Sequence, residues 1–280
     1  MKYRKKLKDL FINALTKSNL KCIEKNRLLD ESDYFDAYLD FIHNSIHYSR
    51  YSINIKGRII TGKYLNEKVN KWRKYCIIDI MNQDILNEYK KTFSSKIYHI
   101  DGKIITNRYC NETSKLGRNV KYKSKNSINL QSVVDDFGIS LGISILKGSD
   151  SEIGNMINVL KEIDIENVNH LKNSNKHKKY FTADAGYDSV ENRTYLNDKG
   201  YIDLIWYNKR NTKDTNVIKK RKLTGHKREK YKKRHIIETY FSWIDNKIPR
   251  LAKIYDKKIK NYTNMVYMAT IDLIIGRMCV

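Results

Sequence analysis

"KIYHIDGKIIT", residues 96–106, sets the reading of the chain. β-Branched and aromatic side chains crowd it, which predicts a strand. Asp101 stands in the middle of that strand and Gly102 follows it. The texture before it is different. Leu7, Leu10, Phe11, Ala14 and Leu15 recur at helical spacing, as do Tyr34, Ala37, Tyr38 and Phe41. Leu65, Val69, Trp72, Ile77 and Ile78 supply packing for two further helices. Residues 1–92 therefore read as a helical region, and 93–280 as a second region built on a sheet.

Past the strand, "INLQSVVDDFGISLGISILKG" (128–148) sets two apolar runs around Asp135, Asp136, Phe137 and Gly138, a hairpin signal. Residues 152–163 have helical spacing at Ile153, Met156, Ile157 and Leu160. "KKYFTADAGYDS" (178–189) predicts a short strand ending at Asp184, and "VENRTYLNDKG" (190–200) a helix stopped by Gly200. "YIDLIWYN" (201–208) is another strand, residues 209–230 a basic loop without apolar period, and residues 229–247 a long helix. This order predicts an α/β fold with a mixed sheet flanked by helices.

The net charge of +24 and pI near 9.7 point to a polyanionic partner, nucleic acid first. An anionic membrane surface competes, but no basic amphipathic anchor stands out. A composition biased toward Lys, Ile, Asn and Tyr would raise the charge without any partner. Cys22, Cys76, Cys110 and Cys279 are scattered, fitting neither a zinc site nor a disulfide framework, which suggests a reducing compartment. "MKYRKKLKDLFINAL" lacks the apolar core of a signal peptide, and Asp272 interrupts the apolar C-terminal stretch. The expectation is a soluble, cytoplasmic protein, nucleoid-associated in a bacterium, nuclear or in a viral factory elsewhere.

Three acids fall where this topology would build a site: Asp101 within its strand, Asp184 at a strand's C-terminal end, and Glu238 on the long helix. At about 100° per residue, Ile237, Phe241, Ile244 and Ile248 form an apolar stripe, and Glu238 falls on its border with Arg234, Tyr231 and Asp245. Clustered carboxylates repel one another and need cations, and hard oxygen donors suit Mg²⁺ or Mn²⁺. Two such ions about 4 Å apart can activate a nucleophile and stabilise the leaving oxygen of a phosphodiester. Taken singly, an aspartate at a strand end is commonly a turn or cap residue, and an arginine four residues before a glutamate a surface ion pair. Asp135 and Asp136 read as hairpin-turn residues and Asp188 as a helix cap.

Together, "DGK" (101–103), "TADAGYDSVENRTYL" (182–196) and "YKKRHIIETYFSWIDNKIPRLAKIYD" (231–256) resemble the DDE transposases of bacterial insertion sequences. Residues 117–152 resemble that family's stretch between its first and second acids. Tyr231, Arg234 and Glu238 match the spacing of its third motif; Asp245 stands where the family has a basic residue, with Lys247 two positions on. The resemblance covers about residues 60–275. It implies a ribonuclease-H-like fold with Asp101, Asp184 and Glu238 as catalytic and metal-ligating triad for two Mg²⁺ or Mn²⁺ ions. It further implies DNA contacts from Tyr231, Arg234, Lys232, Lys233, Arg228 and Lys247, a DNA path along 209–230, end recognition by the N-terminal helices, and a homodimer on DNA. The implied reaction is metal-dependent cleavage at transposon ends followed by strand transfer. A domesticated DNA-binding descendant and a nuclease on the same fold are the alternatives.

Overall fold

The structure, a computed structural model, describes residues 2–18, 20, 29–44, 47–120, 123–165, 178–210 and 213–279. Cys22 and positions 211–212 of the basic stretch lie outside them. The chain divides into two compact units. One comprises Met1–Phe93, Asn107–Thr113 and Trp243–Val280; the other comprises Ser94–Thr106 and Ser114–Ser242.

The first unit contains helices α1 (Lys2–Lys17) and α2 (Glu31–His43), strands β1 (Ser52–Ile55) and β2 (Arg58–Thr61), helices α3 (Gly62–Lys74) and α4 (Ile77–Thr92), and the C-terminal helix Ile259–Met278. A capping box starts α2: the Asp30 carboxylate accepts from the Asp33 amide and the Asp33 carboxylate from the Asp30 amide, both at 2.9 Å. The core is aromatic. Phe11 stacks on Phe35 at 4.2 Å, and Trp72 meets Phe11 edge-on at 5.0 Å. The indole N–H of Trp72 does not go unpaired: it donates to Glu31 at 2.9 Å. The helical reading of residues 1–92 holds for α1–α4 but misses the β1–β2 hairpin. Ser52–Ile55 and Arg58–Thr61 pair antiparallel, and Lys56 and Gly57 turn between them at φ of 51° and 76°. Two successive left-handed residues match the twist of the flanking strands, and Gly57 takes that conformation at no steric cost.

The second unit is a six-stranded sheet with helices. Its strands are β3 (Ile97–Thr106), β4 (Gly117–Asn119), β5 (Lys125–Asp135), β6 (Ser140–Lys147), β7 (Tyr180–Ala183) and β8 (Ile202–Ile205). The helices are α5 (Glu152–Glu162), α6 (Val190–Asp198), α7 (Thr215–Arg221), α8 (Gly225–Lys232) and α9 (His235–Lys247), which runs on into the first unit. β6, β5 and β3 are successively antiparallel; β7 and β8 continue the sheet in parallel with β3. β4 caps the start of β5. This β6-β5-β3-β7-β8 order, with helices, is a ribonuclease-H-like fold.

The hairpin turn was legible. Asp135 accepts from the Phe137 and Ile139 amides at 3.0 and 2.9 Å, and Gly138 supplies φ of 79°. Gly200 likewise ends α6 at φ of 93°, with the Tyr201 amide bonding back to the Leu196 carbonyl. Alternation along β3 sends Tyr98 and Ile100 into a core shared with Val133, Met156, Leu160 and Phe181. His99 and Asp101 therefore point to the opposite face.

Two expectations fail in the basic region. Residues 209–230 are not a plain loop: they contain α7, capped by Asp214 on the Asn216 amide at 2.8 Å, and most of α8. These helices are exposed on most sides, so no apolar period announced them. The long helix 229–247 is in fact broken. Bonds from Arg234 to the Tyr231 carbonyl, Ile236 to Lys233 and Ile237 to Arg234 tighten the chain between α8 and α9. Tyr231 thus sits on a different helix from Glu238, and the angular count holds only from His235 onward. There Ile237, Phe241, Ile244 and Ile248 are all buried, as their spacing predicts. Among the described residues, no helix is long and apolar enough to cross a membrane.

Candidate active site

Asp101 leaves β3 on the face away from the α5 core. Its Oδ1 accepts from the Gly102 amide at 2.9 Å, and its Oδ2 accepts from Arg234 Nη1 at 2.6 Å. The second guanidinium nitrogen, Nη2, donates to Glu238 Oε1 at 3.3 Å. Arg234 therefore forks between an acid from the sheet and one from α9. The break before α9 is what frees it to do so, because its side chain leaves from a tight turn rather than from a helix flank. Glu238 itself is 63 % exposed. The apolar neighbours of the glutamate anchor the helix, and the carboxylate projects from its border.

Asp184 follows β7 directly and caps the 3-10 turn Ala185–Tyr187, accepting from the Gly186 amide at 2.6 Å. That is the ordinary work of an aspartate at a strand end. Its charge nevertheless acts on Asp101, Arg234 and Tyr231. Burial pushes the Asp101 carboxyl above the usual carboxylate range; Arg234 pulls it back, and Asp184 adds to the rise. Burial opposes the charge on Arg234, but Asp101 and Asp184 outweigh it and hold the guanidinium protonated. Three acids from distant parts of the chain thus share the field of one arginine.

Carboxylate oxygens are the donors a hard divalent cation takes. As arranged, however, the residues do not fit one: the Arg234 guanidinium lies between Asp101 and Glu238, and among the described residues no three His, Cys, Asp or Glu side chains gather into a metal-holding group.

Several contributors escaped the sequence reading. Gly102 pairs with Gln131 across β3 and β5. A Cβ there would collide with the Gln131 side-chain nitrogen and come within 2.7 Å of Glu152 Oε1, so a larger residue after Asp101 would make those side chains shift. Gln131 belongs to a polar chain: Tyr187 Oη donates to Gln131 at 2.7 Å, Gln131 to Asn129 at 2.9 Å, and Asn129 to Glu152 at 2.8 Å. His99 shares the face of Asp101, with Nδ1 2.7 Å from Thr182 Oγ1. Burial, reinforced by Arg234, pushes its pKa down to about 3, so the imidazole is neutral. Its position two residues before Asp101 in a strand was the available signal.

Asp188 is not the expected helix cap. Ser189 caps α6 on the Asn192 amide at 3.1 Å. Asp188, fully buried, accepts from Arg193 at 2.9 Å, Arg221 at 3.1 Å and the Asn208 amide at 2.8 Å. It thereby ties α7 to the segment that carries Asp184.

The candidate DNA contacts are scattered. Tyr231, half-buried, packs on Trp206 at 5.9 Å and lies in the fields of Arg234 and Asp184. Lys232 pairs with Glu229 at 3.0 Å; Arg228 and Lys233 are exposed. Lys247, the last residue of α9, bonds Asp272 at 2.7 Å.

The chain matches no curated protein and no solved structure. A family profile, that of the transposase DDE domain, matches residues 93–271, well over half of the chain and a span that includes Asp101, Asp184, Arg234 and Glu238. With that match, and with a ribonuclease-H-like sheet, the chain belongs to the DDE transposases.

Proposed function

We propose that this transposase cuts DNA at the ends of a mobile element and joins those ends to target DNA, with Asp101, Asp184 and Glu238 as the acids of the reaction. The fork of Arg234 between Asp101 and Glu238 carries the reading, with Asp184 acting on the same guanidinium at longer range. A guanidinium fork binds phosphate oxygens as it binds carboxylates. Arg234 is accordingly placed to exchange Asp101 for a backbone phosphate, with Tyr231, Lys232, Lys233, Arg228 and Lys247 as further DNA contacts and α7–α8 along the DNA path. The family normally uses divalent metals. Two such ions, Mg²⁺ or Mn²⁺, belong to this reading, and Arg234 must leave Asp101 before the acids fit them. Holding two ends at once calls for a homodimer on DNA, and the helices of residues 1–92 are the candidate end-recognition region.

The test incubates the full chain with duplexes carrying the inverted repeats that flank its coding sequence, with Mg²⁺, with Mn²⁺ and with chelator. Cleavage and joining are expected, dependent on the ion and reduced at least ~100-fold in Asp101→Ala, Asp184→Ala and Glu238→Ala. Unchanged cleavage in all three variants would remove the site assignment. Cleavage without joining would favour a nuclease, and binding without cleavage a domesticated DNA-binding protein.

A further inference from the structure

The first unit contains an open cavity of about 960 Å³ lined by His47, Ser49, Arg50, Tyr109, Arg250, Tyr255 and Lys257. Its lining holds cations and aromatic rings and no carboxylate. Tyr109 is 58 % exposed, yet it is held in place: its ring lies 5.8 Å from that of His47 and 6.2 Å from that of Tyr255. The supports are themselves fixed. The Arg108 and Tyr109 amides donate to the Ile254 carbonyl at 3.0 and 3.3 Å, and His47 Nδ1 accepts from the Ser49 amide at 3.2 Å. Beneath the rim, Arg250 lies 4.5 Å from the Phe41 ring centroid and pairs with Asp256.

An exposed tyrosine braced between two rings, in a cavity that Arg50 and Lys257 also line, suits a ligand that is flat and anionic at once. Free phosphate would use the cations and leave the rings idle; an apolar ligand would do the reverse. Duplex DNA keeps its internal base faces stacked, whereas an unpaired nucleotide of a strand offers both a face and a phosphate. We propose that this cavity takes an unpaired nucleotide of a DNA strand, its base stacked on Tyr109 beside His47 and Tyr255, its phosphates held by Arg50 and Lys257. The inference rests on DNA being the partner, as proposed above, and adds a second place on the protein where DNA is held.

The experiment uses the full chain and two DNA probes, a blunt duplex and the same duplex with a single-stranded tail carrying 2-aminopurine. Wild-type protein is expected to bind both and to quench the tail's fluorescence by stacking. Tyr109→Ala should abolish the quenching and weaken binding to the tailed probe about tenfold, leaving the blunt probe unaffected; Tyr109→Phe should retain both properties. Because Tyr109 is exposed, neither change threatens folding. Quenching that persists in Tyr109→Ala, or an equal loss on both probes, overturns the proposal. Wild-type protein that binds the blunt duplex but leaves the tail bright overturns the cavity alone; protein that binds neither overturns the proposed function and the cavity with it.

Discussion

Arg234 and Arg250 each pair with an aspartate, Asp101 at 2.6 Å and Asp256 at 3.6 Å. The Arg250–Asp256 side chains are 2 % and 3 % exposed, and the guanidinium is flanked by the rings of Phe41, Tyr48 and Tyr255. The Arg234–Asp101 side chains are each 20 % exposed, and the same guanidinium reaches on to a glutamate that is mostly in solvent. The geometry of the contact does not rank these pairs; the shorter one is the more replaceable. A buried pair cannot exchange its partner for water, so it serves as structure. A pair at the solvent boundary can trade one anion for another, which is what an arginine needs if it is to meet both carboxylates and DNA.

The largest effect should come from breaking the buried pair. Arg250→Leu leaves Asp256, 3 % exposed, without its cation and should cost about 3–5 kcal/mol in urea denaturation. A loss below about 1 kcal/mol would mean that burial does not separate the two pairs. Next in size is Gly102→Ala, beside the exchangeable pair: the added methyl meets Gln131 and Glu152 and should cost about 1–3 kcal/mol, measured the same way. A neutral result would show that the polar chain under Asp101 yields easily.

A third carboxylate extends the comparison. Asp272 lies 2.7 Å from Lys247, which is half exposed, and burial pushes the Asp272 pKa up to about 6. The fold then holds a proton that the unfolded chain has released between about pH 4 and that value. Stability therefore falls as pH rises through this window, and the penalty is fully present at neutral pH. Asp272→Asn should raise stability at pH 7.5 by about 1 kcal/mol, a few degrees in melting temperature, and bring no gain below pH 4. An unchanged melting temperature at pH 7.5 would mean that Lys247 offsets the burial.

The smallest stability change is expected at the exchangeable pair itself. Arg234→Gln should cost about 1 kcal/mol or less, yet raise Mn²⁺ affinity, read by titration of the DNA-free protein, because the competing guanidinium is gone. A cost matching that of Arg250→Leu, or Mn²⁺ binding unchanged from wild type, would show that Arg234 is a fixed strut and not an exchangeable ligand.

Much of this was legible along the chain. Period-2 and period-3.6 patterns, together with glycines at positions 138 and 200, set out the strands, the hairpin and most helices, because burial acts directly on those periods. The three acids stood out as carboxylates within a strand, at a strand end and at the edge of an apolar stripe. The β1–β2 hairpin was hidden by its helical surroundings, and α7 and α8 by their lack of a buried face. What the break before α9 allows, Arg234 reaching Asp101, joins residues more than a hundred apart in sequence. No periodicity records that Arg234 forks between Asp101 and Glu238. The role of Asp188 was missed for the same reason: Ser189 and Asp188 are both good cap residues, and only the two arginines brought to Asp188 by the fold assign the capping to one and the ion pairs to the other. Local pattern specifies which face of each element is buried. Which charges meet is a property of the packed chain, because long-range electrostatic partners are chosen by distance in space.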